Sequence, residues 1–188
     1  MANKDAAFGF RPVRHLTGGL IRTNEYPIAA NYGTAIYHGQ AVKAVAAGGI
    51  ESCGAGEVVL GVFGGCFFTD PTTSKPTFSN YYPASTNASD IVAQVYDDPR
   101  IVFEVQHDGT GTAAMNFGGF DFVGTGGSTL SGRSSQELDT STVTTSGQFK
   151  QIGISKDPNN SDTSSANCNV YVIPNVAEHS YLLTTALA

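Results

Sequence analysis

The sequence predicts an all-β protein: a compact antiparallel β-sandwich or barrel, jelly-roll-like, with an extended N-terminal arm. Three observations lead there. Short runs of β-branched and aromatic residues with a period of two recur along the chain. Clusters of Gly, Pro, Ser, Asn and Asp separate these runs. No window combines the 3.6-residue spacing of an amphipathic helix with its capping residues. Strands without helices bury their apolar faces as sandwiches or small barrels.

Residues 1–30 are expected to form the arm, and residues 31–188 a single-domain body. The stretch AAFGFRPVRHLTGGLIRTNEYPIA carries two Phe, two Pro and a Gly pair without helical periodicity. Fully stretched, a leader of this length spans at most roughly 80–90 Å, enough to lie on a neighbouring molecule. The alternative is an N-terminal strand folded back on its own domain. Charge favours the neighbour: residues 1–25 hold four basic and two acidic groups, net +2, and residues 26–188 hold six and fourteen, net −8.

In the body, AIYHGQAVKAV turns at His38-Gly39 before Ala41-Val42. EVVLGVFGGCFF (Glu57–Phe68) is an apolar run broken by glycines, the pattern of a buried strand that bends at a corner. Residues 69–90, TDPTTSKPTFSNYYPASTNASD, read as a long loop with three prolines. Loops of that length in a compact domain bind something or are disordered, and Phe78, Tyr81 and Tyr82 favour binding or packing. IVAQVY (Ile91–Tyr96) and RIVFEVQ (Arg100–Gln106) flank Asp97-Asp98-Pro99 and predict a hairpin. In the second run Ile101, Phe103 and Val105 share one face, and Val102, Glu104 and Gln106 the other. Apolar bursts follow at Phe120–Val123 and Phe149–Ile154, KDPNNSDTSSANC is a polar loop, and NVYVIPNVAEHSYL (Asn169–Leu182) gives a last strand and its exit.

Only 14% of residues are charged, well under the roughly 25% of an average soluble domain, and thinly charged surfaces tend to be covered by partners. The net charge of −6 argues against binding nucleic acid by neutralising phosphates. No run has the length or flanks of a secretory signal or a membrane span, so neither is expected. Cys53, Cys66 and Cys168 are odd in number and widely spaced, which suits small buried hydrophobes in a protein made in a reducing cytosol.

The pair Asp97-Asp98, with Glu104 and Asp108 nearby, could share a proton or hold a divalent cation. Turn chemistry is the stronger reading, because Asp before Pro caps backbone N–H groups and adjacent residues on an extended chain point to opposite faces. GTGTAA (Gly109–Ala114) matches a dinucleotide fingerprint, but the MNFGGFDF that follows cannot supply the helix the fingerprint needs. His15, His38, His107 and His179 stand apart from one another and from the cysteines. No catalytic, metal or cofactor residue is therefore expected. Interaction candidates are Phe8, Phe10, Arg11, Arg14 and Arg22 in the leader and Phe78, Tyr81 and Tyr82 in the loop, since aromatic and Arg side chains dominate interface hot spots. Alternatively, Phe8 and Phe10 cover an edge of the core.

The stretches AAFGFRPVRHLTGG, NEYPIAANYGTAIYHGQAVK, VLGVFGGC, TDPTTSKPTFSNYYPA and VYDDPRIVFEVQ, in that order, resemble the capsid decoration or cement proteins of tailed bacteriophages. The resemblance runs from about Ala7 to His107 and thins out beyond, where LSGRSSQELD and QIGISKDPNN also fit. It implies a small all-β protein, commonly a homotrimer, made in the host cytoplasm. Such a protein sits on the outer surface of the virion and reinforces contacts between major capsid proteins of the HK97-like fold, without enzymatic activity. Two other classes stay open: a virion receptor- or carbohydrate-binding module using Phe78–Tyr82, and a small hydrolase using Asp97, Asp98, Glu104 and Asp108.

Overall fold

The computed structural model describes residues 2–124, 126–176 and 179–182. In chain order the strands are β1 (Arg11–His15), β2 (Asn24–Pro27), β3 (Ala41–Ala44), β4 (Ile50–Ser52), β5 (Gly61–Thr69), β6 (Pro76–Ser79), β7 (Val92–Tyr96) and β8 (Ile101–Gln106). After them come β9 (Gly119–Phe120), β10 (Phe122–Val123), β11 (Gly127–Ser128), β12 (Arg133–Ser134), β13 (Glu137–Leu138), β14 (Phe149–Ile154) and β15 (Asn169–Pro174). Among the described residues, helix is confined to two single 3₁₀ turns, Ala113–Met115 and Thr140–Thr142. One sheet has the order β1-β8-β15-β14-β9; the other has the order β2-β7-β5-β3-β4, with β6 on β5. All the strand pairs are antiparallel, and the result is a sandwich whose sheets do not close into a barrel.

Two cores hold it together. The first contains Phe103, Val105, Phe149, Val170 and Val172 of one sheet with Ala41 and Val62 of the other. The second lies on the other face of the β5 sheet, where Phe63, Cys66, Ala93 and Val95 are closed over by Ile28, Ile36, Tyr82 and Ile91. Residues outside the long strands thus cover half of the apolar surface of that sheet.

The expected arm does not leave the body. Residues 11–15 pair with β8, residues 24–27 pair with β7, and each forms the edge of its sheet. Phe10 is fully buried, stacked on Phe149 at 4.1 Å between ring centroids and edge-on to Phe103 and Phe122 at 6.5 and 6.1 Å. Gly9 makes this insertion possible: at φ 73°, a Cβ there would lie 2.5 Å from the Gly39 carbonyl oxygen, which accepts the Phe10 N–H at 2.7 Å. A buried aromatic cluster outweighs the charge contrast that pointed outward, because each ring removes 150–250 Å² from water. The alternative reading of the leader, a strand folded back on its own domain, describes this segment.

The predicted hairpin at Asp97-Asp98-Pro99 is also corrected. β7 and β8 are placed correctly along the chain, but β7 pairs β2 and β5, whereas β8 pairs β1 and β15. The turn is a corner between sheets. Period-two alternation fixes which way side chains point, not which strand lies alongside. All six β8 residues are buried, including Glu104 and Gln106, which share a face with Val102. The N-terminal segment covers them: Gln106 bonds Ala6 N–H at 3.0 Å and the Lys4 carbonyl at 2.9 Å, and Glu104 pairs with Arg11. Finally, the loop at 69–90 contains a strand, β6, paired with the far half of β5.

Phe10→Ala should cost about 3–5 kcal/mol, the usual range for a buried Phe. Urea unfolding measures it; a loss under about 1 kcal/mol would mean that the leader is dispensable to the core.

Candidate interaction surface

Two chain crossings run side by side at one end of the sandwich. One joins β1 to β2 through residues 16–23, and the other joins β7 to β8 through residues 97–100. They are tied by the Leu16 N–H on the Arg100 carbonyl at 2.8 Å, His15 Nε2 against Asp98 Oδ2 at 3.0 Å, and Asn24 Nδ2 on both Asp97 oxygens at 3.0 and 2.9 Å.

The two aspartates differ. Asp97 is buried and receives, beside Asn24, the hydroxyls of Tyr26 and Tyr181, each at 2.5 Å from Oδ2. Burial, and then the Asp97 carboxylate, push the pKa values of both phenols up, so they remain protonated donors. Asp98 faces outward and caps the Arg100 N–H at 2.8 Å. Burial opposes its ionisation, but the Arg100 N–H and His15 outweigh that and hold its carboxyl below the usual range. The cap recurs at the other two Asp-Pro dipeptides, where Asp70 takes Thr72 N–H at 2.7 Å and Asp157 takes Asn159 N–H at 2.9 Å. This is Asp-Pro turn chemistry.

The remaining carboxylates offered for hydrolysis are occupied separately. Glu104 pairs with Arg11 and accepts from Ser155 Oγ at 2.5 Å; Asp108 accepts from Thr140 N–H and Oγ1 at 2.9 and 2.8 Å. Among the described residues no group of three or more His, Cys, Asp or Glu is placed to hold a metal ion. All three cysteines are buried, and burial pushes the Cys53 and Cys66 thiols up to about 12.

Outward from the crossings lies a face of another character. Leu20 is 83% exposed, Leu16 47% and Tyr181 54%, with Ile21 and Leu182 beside them in sequence and also exposed. Arg14, Arg22 and Arg100 are exposed, and none has an ion pair among the described residues. A hollow of about 320 Å³ opens between Leu20, Arg22, Asn24, Asp97, Asp98, Pro99 and Tyr181. Tyr and Arg are enriched in interface hot spots, and Arg22 and Tyr181 both line this concavity.

The candidates from sequence fall into separate settings. Arg22 lines the hollow of this face, and Arg14 of β1, exposed, pairs with Val102 of β8. Phe8 and Arg11 meet elsewhere, with the guanidinium 5.0 Å from the Phe8 ring centre, beside a hollow of about 510 Å³. Much of that hollow's polar lining is engaged in holding the backbone of residues 4–6: Asn160 binds both polar groups of Lys4, and Gln106 binds Lys4 and Ala6. Phe10 and Tyr82 are core residues, and Tyr81 is half-buried, stacked on Tyr37 at 5.7 Å. Phe78 stays exposed, beside Phe67. Sequence reasoning missed Leu16, Leu20, Ile21, Arg100, Tyr181 and Phe67; isolated apolar residues in a segment without strand periodicity, as at 16–21, were the available signal. The chain matches no known family model, no characterised protein and no solved structure.

Asp97→Asn should destabilise the protein by about 1–3 kcal/mol, because an amide NH₂ must face donors. Asp98→Asn, at a partly exposed pair, should cost less than about 1 kcal/mol. Equal effects in chemical denaturation would contradict the division between buried anchor and outer cap.

Glu137 lies on β13. Its buried Oε1 accepts no hydrogen bond among the described residues, and burial, then Asp5 and Asp108, push its carboxyl up to about 7 from 4.5. The folded state therefore favours the protonated acid, and this contribution is full below pH 4.5 and lost as pH rises through about 7. The melting temperature of Glu137→Gln, relative to the native chain, should climb across that interval; a constant difference would rule the raised value out.

Proposed function

We propose that the protein is a structural component of a tailed-phage virion. It binds the outer surface of an assembled capsid, as a trimer, and reinforces contacts between major capsid subunits. The observation that carries this reading is the Leu16–Leu20–Arg22–Arg100–Tyr181 face: arginines without an ion pair among the described residues, set among exposed apolar side chains on a chain of net charge −6. Such a face suits an acidic, partly apolar protein surface rather than a small molecule. The similarity of the leader and of the strands through β8 to decoration proteins supports the same reading. Stabilisation would follow from linkage, since a ligand that binds only the assembled shell shifts its equilibrium by mass action, by about 2.7 kcal/mol per site at a hundredfold excess over Kd.

The anchor in this proposal is a surface fixed to the body, not a free arm. Removing residues 1–25 should therefore unfold the protein and so cannot test binding. Leu20→Glu combined with Arg22→Glu reverses the character of the face at two exposed positions. In co-sedimentation with shells lacking the protein, the native chain should saturate at the count of threefold and quasi-threefold sites, and the double variant should bind at least tenfold more weakly, about 1.4 kcal/mol. A native chain that fails to bind shells of the right origin would overturn the proposal.

A further inference from the structure

The registers of four strands bring an uncharged row onto one face of the second sheet. Pro27 of β2 lies opposite Val92 of β7, Val92 opposite Phe67 of β5, and Phe67 opposite Phe78 of β6. Cross-strand partners share a face, so these four side chains form a continuous apolar band. Phe67 is 49% and Phe78 53% exposed, with ring centroids 5.8 Å apart. The same face of β7 carries Tyr96, which packs into the core between the sheets. The row Gly65–Gln94–Glu25, in which Gln94 Nε2 donates to Glu25 Oε1 at 3.0 Å, separates the band from that core, and the band stays open at the β5–β6 hairpin. Gly65 is built around it: at φ 127° it has no Cβ, and one placed there would stand 2.6 Å from the Phe78 ring.

We infer that this band is where one copy of the chain binds another. Charge is the argument for that occupant. Two copies of a chain with net charge −6 repel across most of their surface, and the band carries no charge. At the hairpin tip, Lys75 is exposed and without an ion pair among the described residues. Beside it opens an acidic hollow of about 400 Å³, lined in part by Thr69, Asp70, Ser74 and Asp90. A lone lysine, an acidic hollow and an aromatic band at and beside one hairpin are complementary to themselves. The band also lies about five residues along β7 from the Asp97 corner, roughly 16 Å, so copies joined here keep the arginine face free.

The inference rests on the self-association part of the proposed function and not on shell binding, so it is tested on free protein. Sedimentation velocity of the native chain over a concentration series should show an oligomer. Phe67→Thr, which keeps strand propensity, should shift the midpoint at least tenfold towards monomer, and Val92→Lys on the same row should do the same. Leu20→Glu should leave the distribution unchanged. A native chain that is monomeric throughout overturns self-association as a whole. An oligomer that survives both Phe67→Thr and Val92→Lys, with unchanged circular dichroism, overturns the band as its site and leaves self-association standing.

Discussion

The stack of Phe10 on Phe149 organises the molecule. It pulls the chain start into the core between the sheets and sets β1 beside β8. The chain must then cross to the other sheet to form β2 beside β7, alongside and opposite in direction to the crossing from β7 to β8. Once both crossings lie at the same end, residues 16–23 have no sheet to join. Among their apolar side chains, Leu16 and Leu20 face water.

Polar chemistry then makes the crossing rigid rather than merely possible. A buried carboxylate is costly unless donors surround it. Asp97 meets that demand with three side chains from two segments: Asn24 and Tyr26 in β2, and Tyr181 near the chain end. Each gives up solvent to reach the same two oxygens, so the segments are tied through one residue. Asp98, one position on, turns the backbone and takes His15 from β1. The adjacent aspartates divide between anchoring and turning because successive side chains leave an extended strand on opposite faces.

Much of the strand pattern was legible in the sequence. Val92–Tyr96, Ile101–Gln106, Phe149–Ile154 and the run at 169–174 alternate or cluster as strands must, and they are strands. Partnership was not legible. The short link Asp97-Asp98-Pro99 looks the same in a hairpin and in a corner, and only the competition of β2 and β5 for β7 decides between them. Burial of polar residues was hidden for a related reason. Glu104 and Gln106 carry the signature of an open face, and what covers them comes from some hundred residues earlier in the chain. The candidate site divided along the same line. Arg22 was named from composition alone, whereas Tyr181, which lines the same hollow, reaches it only through folding.

Edge chemistry narrows how this protein can assemble. Open strand edges invite pairing with another chain, and proteins blunt them with proline, charge or a bulge. Here β1 holds Pro12 and a bulge between Pro12 and Arg14, β2 holds Pro27, and β6 begins at Pro76. Main-chain pairing across those three edges is therefore disfavoured. What remains for contact is side-chain surface, and that surface offers two unlike regions at opposite ends of β7. One is cationic and apolar, suited to an acidic partner; the other is uncharged and aromatic, suited to a copy of itself. Under the proposed function the two chemistries stay apart, because a face that served both would let copies compete with the partner for the same residues.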